Sequence, residues 1–500
     1  MHRLWILSLV VLASPATHAG AGPAPKEDLL VPPPDATRYI IVSDTNTHGD
    51  EWRWETDDGA IAFRKSQSLR GWITETDALV VLGYDGKPLK IRIRGVTPDG
   101  DAAEEMFTDE AGIHWDSGAD RGTAPLDGGV YLPRGGPGAV FGLLAEYMLD
   151  KGEVKLLPSG QVHLRDGGTL SIEDEDGDLE ARLIFIEGLN AAPTPVWVDN
   201  KGRHLASIDY MGLMRAGYQE HFQAMKAMQE QASNEAAATV ARRFLTEDAR
   251  RPLLIDNVKL FDADAGVFLD DRAVTIEDGK ITAVGPAGSL KTAENGRVLD
   301  GTGKTLVPGL WDAHKHFGDG YDLLANVATG MTSIRSPGNS LDKLVWARDA
   351  RAAGDLLAPE VFGTIIIDQA HPLSAQGATL VSSEEETLAA VHSAADAGLW
   401  GVKFYTSMNP EWIAPAAAEA HRLGLKVLGH VPATMRPLDA VRAGYDEVTH
   451  LNFIMMQALP QEVVDVSNTA ARFEGPARYA KDVDLDGPVM TEFVAELKQR

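Results

Sequence analysis

The stretch L-V-P-G-L-W-D-A-H-K-H-F-G at residues 306–318 determines how the rest of the chain is interpreted. Its apolar residues predict a buried strand that ends in His314 and His316. Residues two apart on a strand share a face, so the two imidazoles are expected to point the same way, roughly 6–7 Å apart. Neutral imidazoles that converge at a strand end suit Zn²⁺ or a similar borderline metal. An H-x-H pair by itself is also common among ordinary surface or packing residues.

The composition restricts the classes of partner. A chain of 500 residues has room for two or three domains with sizeable cores. It carries 73 acidic and 46 basic residues, a formal charge of −27. Nucleic-acid binding needs a clustered basic face, and docking on anionic lipid needs positive charge, so the sequence argues against both. We interpret the acidity as an aid to solubility.

Residues 1–21 are typical of a secretory signal peptide. A short basic start precedes an apolar run over residues 4–13 that is too short to span a bilayer, and small residues that suit cleavage follow. A retained membrane anchor is the alternative. The chain contains no Cys, so it forms no disulfide. Export without disulfides predicts a bacterial periplasmic or secreted protein, with no stable membrane anchor after signal cleavage.

Three regions follow the signal peptide before the pattern changes again. Residues 27–205 predict a separate all-β domain, a sandwich or meander, because short β-rich runs alternate with Asp-Gly turns. Residues 206–250 predict a helical connector whose Met and aromatic stripe packs on a neighbour, or alternatively forms a ligand surface. Residues 252–307 predict further strands, with Asp278-Gly279 as a tight hairpin turn.

From residue 308 onward, strands and helices alternate. After the first strand, the expected elements are helix 321–329, strand 331–335, helix 341–353, strand 361–367, helix 383–397, strand 400–406, helix 411–423, strand 425–430, helix 437–443, strand 445–450, a long loop, and helix 488–500. Repeated βα units without a reversal favour an α/β fold of the (β/α)₈ TIM-type barrel class. A doubly wound open sheet is the alternative, weakened by the lack of a glycine-rich loop after the first strand.

Other strand ends carry residues suited to the same chemistry. Lys403 and Tyr405 share one face of their strand, and His430 and His450 each close a strand. In a barrel these ends form one catalytic rim. Burial lowers the pKa of a lysine, and the free amine can add carbon dioxide to form a carbamate that bridges two cations. A lysine paired with a carboxylate is the alternative.

The motifs together resemble the amidohydrolase superfamily in its binuclear metal form, over about residues 252–500. The matching parts are I-E-D-G-K-I-T-A-V-G (276–285), L-D-G-T-G-K-T-L-V-P-G-L (299–310), and then His314, His316, Lys403, His430 and His450 in order. The stretches G-M-T-S-I-R (330–335), V-K-F-Y (402–405) and G-H-V-P (429–432) resemble most the imidazolonepropionase-like branch, which includes prolidase-like peptidases.

The resemblance implies a fold and a metal centre. It implies that residues 252–307 form a small β-sandwich beside a barrel over 308–500. It further implies that His314 and His316 hold one metal, that His430 and His450 hold the other, and that carbamylated Lys403 lies between them. The implied cofactors are two divalent metal ions, with Zn²⁺ expected, and carbon dioxide. Family members also carry a strand-eight aspartate, so we expect the natural protein to continue beyond residue 500 and the barrel here to be truncated after about six βα units.

The expected function is a secreted metal-dependent hydrolase that cleaves amide C–N bonds of peptides or cyclic amides through a metal-bridging hydroxide. A lactonase or phosphotriesterase on the same site, or a non-catalytic binding protein, is the alternative. Tyr405 is a candidate for binding the oxyanion or a substrate carboxylate, and His371 and Arg335 are candidate substrate-binding residues. Each of the three has an ordinary structural role as its alternative. The expected partner is a small-molecule or peptide substrate, and a homo-oligomer stays open.

Overall fold

The computed structural model describes residues 23–173 and 177–499. The predicted signal peptide, residues 1–21, lies outside the described residues. Three sheets and their helices make up the described chain. No helix in these two ranges is long and apolar enough to cross a membrane.

The first region is a single 16-stranded sheet built almost entirely from antiparallel hairpins. Strand β16 pairs with β1, so the first and last strands of the sheet lie side by side in its middle. Among the described residues between β1 and β16, one α-helix, α1, is present and buries most of its length, so the predicted all-β composition is wrong at this point. The elements are β1 Thr37–Val42, β2 Thr47–Glu55, β3 Ile61–Leu69, β4 Trp72–Leu82, β5 Pro88–Thr97, β6 Gly100–Asp101, β7 Glu104–Asp109, β8 Gly112–Ser117, β9 Arg121–Ala124, β10 Val130–Tyr131, α1 Ala139–Met148, β11 Glu153–Leu157, β12 Gln161–Ile172, β13 Leu179–Glu187, β14 Thr194–Val198, β15 His204–Ile208 and β16 Gly212–Arg215.

The connecting helix is shorter than predicted. Helix α2 spans Phe222–Ala241, and Met214, expected on that helix, lies instead on β16 opposite Ile40 of β1. Pairing with an existing strand overrides the three- and four-residue spacing there. At its start α2 buries Met225 against the β domain, and near its end it buries Ala237 in the core of the following region. The helix therefore packs on both regions, as a connector would.

The second sheet has five strands within residues 252–307, and the small β-sandwich expected there stays a prediction. Asp278 and Gly279 have φ values of 49° and 73°, which confirms the tight hairpin turn between β18 and β19. Ala273 and Val274 are buried on one face, while Ile281 is 65% exposed. The strands are β17 Leu253–Asp262, β18 Val267–Glu277, β19 Lys280–Pro286, β20 Arg297–Asp300 and β21 Thr305–Leu306.

The third sheet is parallel, and its strands follow chain order except for β25, a short strand beside β24. The helices between these strands pack on the sheet and form one large core with it. The elements are β22 Leu310–Asp312, α3 Gly320–Ala328, β23 Met331–Ser336, α4 Leu341–Ala353, β24 Glu360–Gln369, β25 Thr379–Val381, α5 Glu384–Asp396, β26 Gly401–Phe404, α6 Pro410–Arg422, β27 Lys426–Gly429, α7 Pro437–Arg442 and β28 Glu447–Val448.

The expected alternation of strands and helices is confirmed, but its first and last parts differ from the prediction. Strand β22 ends at Asp312, so both histidines follow the strand instead of alternating on it. Trp311 is 60% exposed, contrary to the predicted burial, because β22 is an edge strand of the described sheet. The expected long loop contains helices. They are α8 Leu451–Met455, α9 Gln461–Val464 and α10 Ala471–Tyr479, followed by α11 Pro488–Leu497.

The parallel sheet curves strongly. Arg335 on β23 forms a two-pronged ion pair with Glu447 on β28, at the far end of the sheet. Within the described chain, β22 and β28 are the two end strands and do not pair with each other. The described sheet is thus an open, curved one, and the closed eight-stranded barrel stays a prediction.

Candidate active site

The predicted metal ligands meet at the carboxyl ends of the parallel strands. The ring centroids of His314 and His316 lie 5.3 Å apart, those of His314 and His450 4.7 Å, and those of His430 and His450 4.9 Å. Lys403 is 1% exposed, and burial first, with the positive charge of Lys403 after it, lowers the pKa of all four histidines. The curved sheet thus collects side chains that lie up to 136 residues apart, from His314 to His450.

His316 is held in one orientation and one tautomer. Its Nδ1 lies 2.6 Å from the carbonyl oxygen of Gly338, which can only accept, so Nδ1 carries the proton and Nε2 keeps a free lone pair. Gly338 has φ +141°, and a Cβ on it would lie 2.4 Å from Ile366 Cγ1. Glycine is therefore required where the backbone approaches the imidazole.

His430 is buried without any hydrogen-bond partner. It is 4% exposed, and neither ring nitrogen has a partner in the described part of the chain. Burial, followed by the charge of Lys403, holds the pKa of His430 well below its usual value, so the ring is neutral. A buried polar atom without a partner is costly, and a metal ion would supply the missing interaction.

His450 adopts a strained backbone conformation. Its φ is +67°, in the left-handed region that non-glycine residues rarely enter, at the residue preceding α8. Burial, followed by the charge of Lys403, lowers the pKa of His450 to about 4, and the same two causes lower that of His314 to about 3. Strain of this kind is concentrated at functional sites, where the surrounding structure holds the residue in place.

Lys403 has the environment that the carbamate hypothesis requires. Burial, followed by the charge of Arg472, lowers the pKa of Lys403 to about 8. The alternative was pairing with a carboxylate. Among the described ion pairs none involves Lys403, and Glu447, which acts on its pKa, is held by Arg335. A neutral amine is thus accessible near neutral pH.

The other candidate residues have different surroundings. Tyr405 stacks on His430 with ring centroids 3.9 Å apart, within the site. Arg335 binds Glu447 and also donates from Nε to the Ala313 carbonyl oxygen, 2.8 Å away. His371 is exposed in the loop after β24, where its Nδ1 accepts from the Leu373 N–H. A substrate-binding role for Arg335 and His371 stays a prediction.

Three residues at the site were missed by sequence reasoning. Arg70 comes from the N-terminal β domain and donates to Tyr405, and Arg472 lies near the same ring from α10. Asp368 ends β24, and burial raises the pKa of its carboxyl group to about 7. The position of Asp368 at a strand end was the available signal in the sequence. Nothing in the sequence connects Arg70, 335 residues away, to Tyr405.

The donor set fits a pair of divalent cations, although its side chains are not arranged around one. Among residues 23–173 and 177–499, no three His, Asp or Glu side chains form a group that could hold a metal ion. The chemistry of the donors nevertheless suits Zn²⁺, since the imidazoles are neutral and His430 has two unpaired ring nitrogens. His314, His316, His430, His450 and Lys403 are the residues that would hold the cations.

Comparisons with known proteins found relatives that match part of the chain. No family model matches the chain. An enamidase from Eubacterium barkeri is 27% identical over 204 residues, which cover 37% of this chain and 52% of the enamidase. An imidazolonepropionase from Idiomarina loihiensis is 30% identical over 119 residues, covering 23% of this chain and 28% of that protein. A solved structure of bottromycin amidohydrolase has a TM-score of 0.40 and 22% identity, covering 50% of this chain and 54% of that one.

The fold and the site together define a class of protein. It is an α/β protein that carries four histidines and a buried lysine at the ends of parallel strands. The similarity to an enamidase and to an imidazolonepropionase supports the predicted resemblance to the amidohydrolase superfamily. The chain spans about half the length of the enamidase and less of the imidazolonepropionase.

Proposed function

We propose that the protein is a metal-dependent hydrolase that cleaves amide C–N bonds in peptides or cyclic amides. The observation that carries the proposal is the set of four neutral imidazoles around a buried lysine amine. The relatives named enamidase and imidazolonepropionase support C–N bond chemistry. Divalent cations held there would polarise the scissile carbonyl and lower the pKa of an attacking water.

The residues of the chain prepare this chemistry. The neutral amine of Lys403 adds carbon dioxide and releases a proton, and the resulting carbamate provides two oxygen ligands on a long stem. The buried His430 and the oriented His316 need no deprotonation before they bind a cation, because both rings are already neutral. We propose Zn²⁺ as the metal because imidazole nitrogens are among its preferred ligands.

Tyr405 is suited to stabilise the developing oxyanion. Arg70 donates a hydrogen bond of 3.0 Å to the phenol oxygen, which leaves the phenol proton free to be donated elsewhere. Since the ring also stacks on His430, the hydroxyl is held at a fixed distance from the ligand set. A preorganised donor of this kind stabilises negative charge in the transition state more than in the bound substrate.

A cavity of about 660 Å³ borders the candidate site and is lined by His316 but by none of the other candidate ligands. It lies between the N-terminal β domain and the parallel sheet, with His316, Gly338 and Gln376 on one side and Phe185 and Tyr210 on the other. A volume in this range accommodates a small molecule or a short peptide. We therefore propose that both regions contact the substrate.

A substrate panel tests the proposal. Purified protein supplied with Zn²⁺ and bicarbonate is assayed on dipeptides, lactams, lactones and phosphotriesters. Hydrolysis of dipeptides or lactams, lost in Lys403→Met and retained in the exposed-lysine control Lys426→Met, is the expected result. Turnover confined to lactones or phosphotriesters would assign the protein to the alternative hydrolases, and no turnover with any class would favour a binding protein. Export of the protein, proposed from residues 1–21, is checked separately by cell fractionation.

A further inference from the structure

The hairpin that joins β3 to β4 brings one residue of the N-terminal domain into the candidate active site. Leu69 pairs with Trp72, and the two turn residues are Arg70 and Gly71, with φ values of 52° and 87°. Left-handed backbone at the first turn position favours glycine, asparagine or aspartate. An arginine held there is an outlier, and such outliers point to a role for the side chain.

The tip of the hairpin is fixed against the second half of the chain. The Ala470 N–H donates to the Arg70 carbonyl oxygen, 2.8 Å away, just before α10. The rings of Trp72 and Phe473 are in contact, with centroids 5.1 Å apart. The two contacts flank the turn, so the Arg70 side chain is directed into the site by a docked element.

The Arg70 guanidinium group makes several contacts around Tyr405. Nη1 donates to the Tyr405 hydroxyl, and Nη2 donates to Gln376 Oε1 at 2.6 Å and to the Ser374 carbonyl oxygen at 3.1 Å. All three acceptors are neutral. The third nitrogen atom of the Arg70 guanidinium group, Nε, is buried and has no hydrogen-bond partner in the described chain.

Two further donors near this point are also buried and unpartnered among the described residues. They are Gln376 Nε2 and Arg472 Nη1, and the Arg472 guanidinium carbon lies 5.9 Å from the Tyr405 ring centroid. Neither Arg70 nor Arg472 belongs to any ion pair of the described chain. Buried guanidinium groups normally have an anionic partner, so this cluster lacks an acceptor.

The neighbouring carboxylate of Asp368 does not fill that role. Asp368 and the two arginines influence each other's pKa, which places them in the same surroundings. However, the Asp368 oxygens accept hydrogen bonds from the backbone N–H groups of Ala375, Ser407 and Gln369. The unpaired donors of the cluster therefore have no acceptor among the described residues.

We propose that Arg70, Arg472 and Gln376 form a carboxylate-binding subsite, and that the substrate carries a free carboxylate close to the scissile amide. N-acyl amino acids and the C-terminal residue of a peptide have this chemistry. Tyr405 lies between the subsite and His430, so a carboxylate bound there holds the adjacent amide beside the ligand set. This inference rests on the proposed function, and it gives the N-terminal β domain a part in substrate selection.

The kinetic test compares an acid with its neutral analogue. N-acetyl-L-leucine and N-acetyl-L-leucine amide are assayed with the wild type, Arg70→Asn, Arg70→Lys and the exposed control Arg92→Asn. Asparagine tolerates the left-handed turn, so R70N should fold. We expect R70N to lose about 10- to 100-fold more in kcat/KM on the acid than on the amide, because the charge-assisted hydrogen bond to the carboxylate is lost only with the acid, whereas any effect through Tyr405 is common to both substrates. R70K should retain part of the preference, and R92N all of it.

Equal losses on the acid and the amide in R70N would overturn the subsite and indicate a structural role for Arg70. So would a wild-type enzyme that hydrolyses the amide as well as the acid.

A binding measurement separates this inference from the proposed function. Calorimetric titration of Lys403→Met with N-acetyl-L-leucine needs no turnover, and it is repeated in the K403M/R70N double variant and with the primary amide. We expect the acid to bind K403M and to bind the double variant about tenfold more weakly, with no such difference for the amide. Equal affinity of K403M for acid and amide would contradict the subsite, as would tighter binding of inorganic phosphate than of the acid. If the acid binds as expected but no variant hydrolyses it, the proposed function fails and the subsite stands.

Discussion

At the scale of the residue, burial controls the pKa values of individual ionisable side chains. Lys403 and His430 are nearly inaccessible to solvent, and desolvation lowers the pKa of Lys403 to about 8 and that of His430 well below its usual value. The sequence predicted these two residues because each ends a strand in a βα repeat. It could not predict Arg70, because the contact of Arg70 with Tyr405 depends on how two separate regions dock.

Lys403→Met should separate stability from activity. The substitution removes a buried amine without an ion-pair partner and replaces it with an apolar side chain of similar length, so the metal-free protein should become more stable by about 1 kcal/mol. Urea unfolding in the presence of a chelator measures the change, and Lys426→Met, at an exposed position, is the control. A marked loss of stability in K403M alone would show that the amine has a structural partner.

His204 in the N-terminal domain should make the protein sensitive to acid. Burial lowers the pKa of His204 to about 3, with Arg53 and Arg215 lowering it further, whereas an unfolded histidine titrates near its model value of 6.5. Below pH 6.5 the unfolded state binds a proton that the folded state does not, so stability is complete above this pH and falls as the pH decreases toward 3. Between pH 7.5 and 4.5 the loss due to His204 should be about 3 kcal/mol.

Denaturant unfolding at pH 7.5 and 4.5 tests this expectation. His204→Gln keeps a polar group that can reach Ser207, the hydrogen-bond partner of the imidazole at 2.8 Å, and should show a smaller loss in acid. His163→Gln, at an exposed position, should behave as the wild type does. If H204Q and the wild type lose equal stability on acidification, another group is responsible.

At the scale of the secondary structure, the long, regular strands and helices could be predicted from the sequence. Very short helices, and strands that depend on pairing with a distant strand, could not. The parallel strands and their helices were predicted almost to the residue because buried parallel strands are continuous apolar runs and the helices repeat every three to four residues. Strand β16 was missed because its pairing with β1 spans the whole N-terminal domain. The short helices α8 and α9, with five and four residues, are too brief for periodicity to reveal.

Helix α2 should depend on a small side chain at residue 237. Ala237 is fully buried, and its Cβ would lie 3.0 Å from a Cβ added at Gly320, the first residue of α3. Ala237→Leu should therefore destabilise the protein by about 1–3 kcal/mol through overpacking. Gln231→Leu, on the exposed face of α2, is the matched control. Thermal unfolding of the two variants decides the matter, and equal midpoints would show that α2 is not held tightly against α3.

At the scale of the whole molecule, the N-terminal domain and the parallel-sheet region are coupled. The cavity lies between them, α2 is buried in both, and Lys343 on α4 bonds to Glu230 on α2 at a distance of 3.0 Å. The sequence predicted two separate regions joined by a connector. It contained no information on their docking, since surface pairs of this kind are set by geometry and not by local pattern.

Reversal of this charge pair should weaken the coupling. Lys343→Glu places two carboxylates together, and Glu230→Lys combined with it restores an ion pair. We expect K343E to lower the free energy of unfolding by about 1–2 kcal/mol and the double variant to recover most of the loss. Differential scanning calorimetry measures both. A double variant no more stable than K343E would show that the pair does not contribute to docking.

Metal content tests the assignment of the site most directly. The wild type, Lys403→Met and Lys426→Met are purified, supplied with Zn²⁺ and bicarbonate, and freed of unbound metal. Inductively coupled plasma mass spectrometry then measures the number of zinc ions per chain. A binuclear site predicts about two zinc ions per chain in the wild type and in K426M, and a large loss in K403M. A wild type that retains no metal, or a K403M variant that retains as much as the wild type, would contradict it.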